Sequence, residues 1–195
     1  MIVAMIAKLT TLDITATTWI NGLAGETPWL DALMRLSSLV GVPLMIAAVI
    51  ASWWLGGANS PARRSARHAA VRSGLAFLLG LAINQLILLF LHRLRPYDAG
   101  ISHLLIAPSA DPSFPSDHAT ASFAIVLAYL ADRRWRSSLL LGGMAMLVVT
   151  SRVFLGTHYV SDILGGIATA LLAVTVTRAS YQADTRLDRF ITGIL

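Results

Sequence analysis

The 195-residue chain contains no cysteine and few charged residues. Without thiols it can form neither disulfide bonds nor thiolate metal sites. Charged residues account for 13% of the sequence and hydrophobic residues for 56%, and this charged share is about half that of a typical soluble domain. The composition excludes an ordinary soluble domain and indicates an integral membrane protein.

Uncharged runs divide the chain into candidate membrane spans. The first two, residues 36–62 and 73–91, contain 27 and 19 residues, and about 20 residues cross the hydrocarbon core. Three later runs, 119–131, 137–151 and 163–177, contain only 13, 15 and 15 residues. They reach spanning length only if adjacent polar residues join the helices. Those polar residues are therefore expected near the membrane boundary.

Residues 1–27 form an N-terminal segment with a helical period. Apolar residues recur at steps of three and four, while Asp13, Thr17 and Asn21 fall between them. Because polar residues interrupt it, we expect an amphipathic helix in the membrane interface rather than a span. A cleaved signal peptide is the alternative, disfavoured because no basic region precedes the apolar residues.

The basic residues collect on one side of a five-span arrangement. The loops 56–72 and 132–136 and the tail after residue 177 hold ten of the fifteen lysines and arginines, which predicts that this side is cytoplasmic. The sequence therefore predicts an all-α fold, a polytopic membrane bundle of five to six transmembrane helices. We expect one domain over residues 1–195, with a sixth span only if the N-terminal segment crosses the bilayer.

A polar stretch between the last two apolar runs carries the most distinctive chemistry, reading SRVFLGTHYVSD over residues 151–162. If the next helix starts near Thr157, His158 and Asp162 share one face. The carboxylate can then accept a hydrogen bond from one imidazole nitrogen and leave the other free. Arg152 could bind a tetrahedral oxyanion through its planar guanidinium group. For His158 alone, a structural role stays equally open.

Two earlier polar stretches adjoin other apolar runs. PSDH, residues 115–118, opens one run with Ser116 at the N-cap position and Asp117 in the first turn. Such a helix start offers free N–H groups and a positive dipole end to an anion. RLRP, residues 93–96, closes the preceding run because proline disfavours helix at Arg95. Together the three stretches could surround a phosphoryl group.

In this order, the three stretches resemble the motifs of the type 2 phosphatidic acid phosphatase family of membrane lipid phosphatases. The family pattern is Lys-x6-Arg-Pro, then Pro-Ser-Gly-His, then Ser-Arg-x5-His-x3-Asp. Ser151, Arg152, His158 and Asp162 match the third motif in full, and Gly156 falls where the family usually has glycine.

The other two motifs depart from the family pattern at one position each. Asp117 replaces the glycine of the second motif, a variant associated with bacterial undecaprenyl diphosphatases of the bacitracin-resistance type. In the first motif Arg95 and Pro96 are present, but Leu88 stands at the lysine position. Arg93 is the candidate to supply the missing charge.

The resemblance implies a phosphatase that works without metal or cofactor. His158, held by Asp162, would attack phosphorus and form a phosphohistidine, while His118 would protonate the leaving oxygen and then activate water. The residues implied to hold the phosphate are Arg93, Arg95, Ser116, Asp117, Ser151, Arg152 and Gly156. Metal binding is the competing use of the histidines, disfavoured because arginine repels cations and cannot ligate them.

The implied reaction converts undecaprenyl diphosphate to undecaprenyl phosphate at the outer face of a bacterial cytoplasmic membrane. The motif arginines lie opposite the ten basic residues, so we expect the site to face the periplasm. The expected partners are a polyprenyl diphosphate or phospholipid substrate and membrane lipids, but no nucleic acid, and the oligomeric state is open.

Other functions stay open alongside this one. A phosphatidylglycerophosphate or phosphatidate phosphatase would use the same chemistry, as would a vanadate-dependent haloperoxidase, although the latter enzymes are soluble. A transporter or bacitracin-export component could use Asn84 and Gln85 to line a path. We expect these two residues to bond neighbouring helices instead, and we expect His92 and His103 to be interfacial rather than catalytic.

Overall fold

The structure is a computed structural model that describes residues 2–54 and 60–193. Within these ranges all regular elements are helical, which confirms the predicted all-α fold. In chain order they are α1 (Ile2–Asn21), α2 (Pro28–Ala51) with a 3₁₀ turn (Ser52–Trp54), α3 (Pro61–Leu88), α4 (Asp117–Ala131), α5 (Trp135–Phe154), α6 (Val160–Ser180) and α7 (Arg186–Thr192).

Four of the described helices, α2, α3, α5 and α6, are long and apolar enough to cross a membrane. The chain is therefore a multi-pass membrane protein. The fifth predicted span, α4, is apolar but contains only 15 residues, or about 22 Å of helix, against a hydrocarbon core of roughly 30 Å. As expected, the short runs lengthen by taking in polar residues, since α4 includes His118 and α5 includes Arg152.

Two predicted boundaries need correction. The helix α2 begins at Pro28 rather than after Arg35, and the loop predicted for residues 56–72 is wrong over 61–72, which are helical. Residues 56–59 lie outside the described ranges. Both helices extend past the charged residues that bound the uncharged runs. Ser60 caps α3 by accepting a hydrogen bond from the backbone N–H of Arg63 at 3.1 Å.

The helix α4 lies at the centre of the bundle and packs against α3, α5 and α6. Small residues allow this close packing, including the fully buried Ala119, Ala124 and Ala128. On α6, a Cβ atom added to Gly166 would lie 2.6 Å from the Ser116 carbonyl oxygen, so only glycine permits the observed approach. This packing fixes the start of α4 beside the start of α6.

The helix α1 presents a polar ridge to the bundle and apolar side chains to the outside. Thr17 and Asn21 are buried, whereas Leu9 and Trp19 are 57% and 73% exposed. The Asn21 Nδ2 atom donates to the carbonyl oxygens of His103 at 2.9 Å and Phe154 at 2.8 Å. The amphipathic pattern predicted from the sequence is present, and its polar face contacts protein.

Three connecting segments meet at one end of the bundle: the α1–α2 turn, residues 89–116 and the α5–α6 turn. Asn21 bonds the second of these and the last residue of α5, Phe154, and the backbone N–H of Leu105 donates to the Leu155 carbonyl in the α5–α6 turn at 3.3 Å. All three sequence motifs lie at this end. At the other end a separate polar cluster fixes the tail, where the Tyr181 hydroxyl donates to Asp188 at 2.6 Å.

Candidate active site

A cavity of about 160 Å³ at the motif end of the bundle brings the three motifs together. Its size suits a small group, since sites for larger ligands measure roughly 300–1,000 Å³. The wall contains both motif histidines and two motif arginines. The lining residues are Leu88, Arg95, Ser109, Asp111, Pro112, Pro115, Asp117, His118, Arg152 and His158.

His158 lies before α6 rather than inside it, because the helix begins at Val160 with Tyr159 as its N-cap. The expected helix start near Thr157 is therefore wrong. The Nδ1 atom of His158 lies 2.9 Å from the Ser113 carbonyl oxygen and 3.5 Å from Asp162 Oδ2. The shorter distance makes the carbonyl the direct hydrogen-bond partner, and it assigns the proton to Nδ1. The Nε2 atom keeps a lone pair.

Asp162 is fully buried at the third position of α6 and stabilises the turn that carries His158. Its Oδ2 atom accepts from the backbone N–H of Tyr159 at 2.8 Å and from the Ser113 hydroxyl at 2.5 Å. Its Oδ1 atom accepts from Arg93 Nη1 at 2.6 Å. The carboxylate thereby orients both Ser113 and the His158 turn.

Arg95 is buried and braced on both sides of the cavity. Its Nε atom donates to the Asp111 carbonyl at 2.8 Å, and its Nη1 atom donates to the Thr157 carbonyl at 3.0 Å. The same Nη1 atom lies 3.5 Å from His158 Nε2. A phosphoryl group attached to or approaching Nε2 would therefore meet a fixed guanidinium group.

Arg152 supplies a second buried cation from the last turn of α5. Its Nη1 atom donates to the Ser38 hydroxyl on α2. Its Nε atom is buried and has no hydrogen-bond partner among the described residues. A buried guanidinium group with unused donor capacity on a cavity wall is suited to an anionic ligand.

The start of α4 forms a third part of the wall. Ser116 occupies the predicted N-cap position, but its hydroxyl makes no capping bond and finds no partner in the described chain. Asp117 is the first helical residue, and its Oδ1 atom accepts from Asn84 Nδ2 at 2.7 Å. This bond confirms that Asn84 connects two helices, whereas Gln85 is exposed. His118 follows on the cavity wall.

Four of the predicted phosphate-binding residues, among them the fully buried Ser116, are not part of the cavity wall. Arg93 binds Asp162 and Asp13 instead. The Ser151 hydroxyl donates to the Val148 carbonyl in its own helix at 2.6 Å. Gly156 has a φ of +79°, and a Cβ atom there would lie 2.3 Å from the His103 carbonyl oxygen, so this glycine serves the α5–α6 turn.

The surroundings of His158 favour the neutral form of its imidazole. Burial lowers the pKa of its imidazole below the ordinary value, and the neighbouring arginines Arg152 and Arg95 lower it further. The Asp162 carboxylate opposes this effect without reversing it. At neutral pH the ring is therefore uncharged, and its free nitrogen can act as a nucleophile.

Several residues that support the site were not predicted from the sequence. Ser38, Ser109, Asp111 and Ser113 bond the motif side chains directly through side-chain or backbone atoms. They lie in ordinary-looking loop or helix sequence and carry no signal. Asp13 could have been noticed in the sequence, because it is an acidic residue in an apolar segment and lies four positions before Thr17 on the same face of a helix. By contrast, His92 and His103 are exposed and lie outside the cavity wall.

The sequence of this chain matches a known protein family. The sequence profile of the PAP2 superfamily matches residues 69–186, more than half of the chain. The chain belongs to the PAP2 superfamily. This confirms the resemblance drawn from the three motifs, and the matched region contains the whole cavity wall.

Curated relatives of this PAP2 protein carry phosphatase names. Undecaprenyl-diphosphatase BcrC of Bacillus subtilis is 34% identical over 78% of this chain and 76% of its own length. YbjG of Escherichia coli, named as a candidate undecaprenyl-diphosphatase, is 30% identical over 90% of this chain and 85% of its own. Phosphatidylglycerophosphatase B of Bacillus subtilis is 30% identical over 55% of this chain and 54% of its own.

The fold also matches that of a solved family member. The crystal structure of a transmembrane PAP2-type phosphatidylglycerolphosphate phosphatase from Bacillus subtilis superposes with a TM-score of 0.66 at 22% identity. The match covers 92% of this chain and 89% of the other. Family membership and these relatives identify this PAP2 protein as a hydrolase acting on lipid phosphates.

Proposed function

We propose that this PAP2 protein hydrolyses undecaprenyl diphosphate to undecaprenyl phosphate and inorganic phosphate through a phosphohistidine. The proposed mechanism rests on one observation. The side chains of His118, His158, Arg95 and Arg152 line the same small cavity. The lipid is favoured by the two relatives named for undecaprenyl diphosphate, which align over most of the chain. The Pro-Ser-Asp-His variant of the second motif favours the same substrate.

In the first step, His158 Nε2 forms a bond to the terminal phosphorus while the bond from phosphorus to the bridging oxygen breaks. The Ser113 carbonyl holds the proton on Nδ1 and so keeps the lone pair on Nε2. The bound diphosphate places negative charge beside His118 and so favours its protonated form. Protonated His118 gives this proton to the departing oxygen, and undecaprenyl phosphate leaves.

In the second step, water replaces the enzyme nitrogen. His118, now neutral, accepts a proton from water as the new oxygen–phosphorus bond forms and the Nε2–phosphorus bond breaks. Inorganic phosphate leaves, and both histidines return to their starting states. Asp162 offsets the positive charge that the His158 ring carries while phosphorylated.

Arg95 and Arg152 are the cations that would hold the equatorial phosphoryl oxygens. In phosphoryl transfer, charge spreads over these oxygens in the transition state, so positioned guanidinium groups stabilise it. Arg95 is fixed by two backbone carbonyls, and Arg152 by Ser38 and a buried environment. Both groups are thus held in place before substrate arrives.

The surroundings of the cavity favour a lipid over a soluble ester. Leu88 belongs to the cavity wall. The three residues that follow it, Leu89, Phe90 and Leu91, have exposed apolar side chains, and Phe90 is 82% exposed. Apolar exposure beside a polar cavity is suited to a phosphate presented by a membrane lipid. A water-soluble substrate needs no such surface.

Phosphate release from three purified lipids tests the proposal: undecaprenyl diphosphate, phosphatidylglycerophosphate and phosphatidate. We expect the highest kcat/KM with undecaprenyl diphosphate. His158→Ala and His118→Ala should each lower kcat by at least about a hundredfold. His92→Ala is the matched control, because its side chain is exposed and lies outside the cavity.

Each outcome of this assay is decisive. Preference for a glycerophospholipid would reject undecaprenyl diphosphate as substrate, and activity in His158→Ala would reject His158 as nucleophile. Rapid quenching of wild-type protein should trap an acid-labile phosphoryl group that His158→Ala lacks. Loss of activity with a metal chelator would contradict a mechanism based on histidine and arginine alone.

A further inference from the structure

The Asp13 carboxylate, which lies outside the region that the family profile matches, contacts Arg93 behind the active site. Arg93 lies between two acids, with Nη1 at 2.6 Å from Asp162 Oδ1 and Nη2 at 2.8 Å from Asp13 Oδ2. Its guanidinium carbon also lies 3.8 Å from the centre of the Tyr159 ring. Asp13 belongs to α1, whereas the profile match begins at residue 69.

The position of Asp13 is closely defined by the start of α6. Its Oδ1 atom accepts from the backbone N–H of Ser161 at 2.8 Å, and its Oδ2 atom accepts from the Ser161 hydroxyl at 2.5 Å. The side chain is only 12% exposed. Asp13 therefore holds Arg93 and the residue next to Asp162 in one arrangement, and it does not contact the cavity.

We propose that Asp13 is a positioning residue for the phosphoryl transfer, acting through Arg93 on Asp162 and His158. This inference rests on the proposed role of His158 as nucleophile. In the chain of contacts Asp13–Arg93–Asp162, Asp13 fixes the guanidinium group, and the guanidinium group fixes the carboxylate behind the His158 turn. The N-terminal helix is thereby part of the catalytic apparatus.

Charge balance gives the proposal a measurable signature. Asp13, Arg93 and Asp162 carry two negative charges and one positive charge, which leaves a net charge of −1 behind His158. Removing the Asp13 charge changes the net charge of this group to zero, and removing the Arg93 charge changes it to −2. A negative environment stabilises the protonated and the phosphorylated imidazole. The two changes should therefore displace the pKa of His158 in opposite directions.

The other charged groups that face His158 stay constant in this comparison. They are Arg95 from the segment between α3 and α4, Arg152 from α5, and His118 and Asp117 from the start of α4, with Asp111 also on the cavity wall. None of them contacts Asp13. The shifts between variants therefore report the Asp13–Arg93 pair.

Asp13→Asn should lower kcat by roughly tenfold, the lower end of the range for residues that orient a functional group, because Asp13 acts on His158 only through Arg93 and Asp162. KM should stay within about twofold, because Asp13 does not touch the substrate cavity. The acidic limb of the kcat/KM profile should move to lower pH in Asp13→Asn and to higher pH in Arg93→Gln. In the double variant the limb should return close to its wild-type position.

Two control variants separate this role from a structural one. Asp31→Asn makes the same chemical change at a carboxylate that accepts only from the Gly25 backbone N–H among its described contacts, and it should leave kcat and the pH profile unchanged. Thr17→Ala removes a contact of α1 with the backbone of Val160 without altering charge. It should lower thermal stability without moving the acidic limb.

The outcomes distinguish this inference from the proposed function. If His158→Ala abolishes phosphate release but Asp13→Asn behaves like Asp31→Asn, the role of Asp13 is rejected and the mechanism stands. Equal loss of rate in Asp13→Asn and Arg93→Gln, with no shift of either pH limb, would assign the pair a structural role and overturn the inference. Retained activity in His158→Ala would reject the proposed function itself.

Discussion

At the residue scale, the chemistry of His158 depends on what each ring nitrogen contacts. Nδ1 faces the Ser113 carbonyl at 2.9 Å, while Nε2 lies 3.5 Å from the fixed Arg95 guanidinium group. The first contact sets the tautomer, and the second places a cation where a phosphoryl group would bind. Leu88 on the same wall adds no charge, so Arg95 and Arg152 are the permanent cations among the lining residues.

The pH dependence of the reaction should reflect the lowered pKa of His158. Burial, assisted by Arg152 and Arg95, favours the neutral ring, which is the nucleophilic form. Since the pKa is lowered, activity should persist on acidification and fall only as pH passes below the ordinary histidine value of about 6.5. The acidic limb of kcat/KM against pH measures this directly. An acidic limb above neutrality would contradict it.

At the scale of elements, α1 acts as a brace for the loops that carry the site. Its polar ridge bonds the start of α6 through Asp13 and Thr17, and it bonds the end of α5 and the segment before α4 through Asn21. The apolar side of the helix remains exposed. A helix whose polar side meets protein and whose apolar side faces outward is suited to contact with lipid.

Asn21→Ala should destabilise the site end of the bundle. The side chain donates to two carbonyls and accepts from the His103 backbone N–H at 2.7 Å, and each buried group left unpaired costs about 1–3 kcal/mol. We expect a lower temperature of inactivation in detergent. Thr18→Ala is the control, because within the described ranges its hydroxyl bonds only carbonyls of its own helix. Equal thermal stability of the two variants would contradict the bracing role.

At the scale of the whole molecule, one end of the bundle is rich in basic residues and the other end contains the cavity. The α3 start, the α4–α5 turn and the tail carry ten of the fifteen basic residues, and the opposite end carries the cavity. The positive-inside rule assigns the basic end to the cytoplasm. We therefore propose that the cavity opens towards the periplasm, where a lipid carrier of cell-wall precursors would release its phosphate.

Cysteine labelling tests this orientation, and the chain has no native cysteine to interfere. Asp98 and Arg136 are exposed at opposite ends of the bundle. With a membrane-impermeant thiol reagent on intact cells, Asp98→Cys should react, and Arg136→Cys should react only after the membrane is opened. The reverse pattern would place the site in the cytoplasm.

The sequence alone determined the fold class and the family, and its motifs predict which side chains react. Composition and uncharged runs give a helical membrane protein because hydrocarbon tolerates few charges and leaves backbone groups to be satisfied within helices. The spacing of Arg152, His158 and Asp162 shows only that phosphoryl transfer is possible, because that reaction needs a nucleophile, an orienting group and cations at defined separations. The role of each residue is implied by the family resemblance.

Only the tertiary structure decided which partner each of these side chains uses. Arg93 turns to two carboxylates rather than to the cavity, and Ser113 rather than Asp162 is the direct partner of His158 Nδ1. These contacts join residues far apart in the chain, such as Asp13 and Ser161, separated by 148 positions. Sequence spacing reports neighbours along one helix, whereas contacts between helices depend on how the bundle packs.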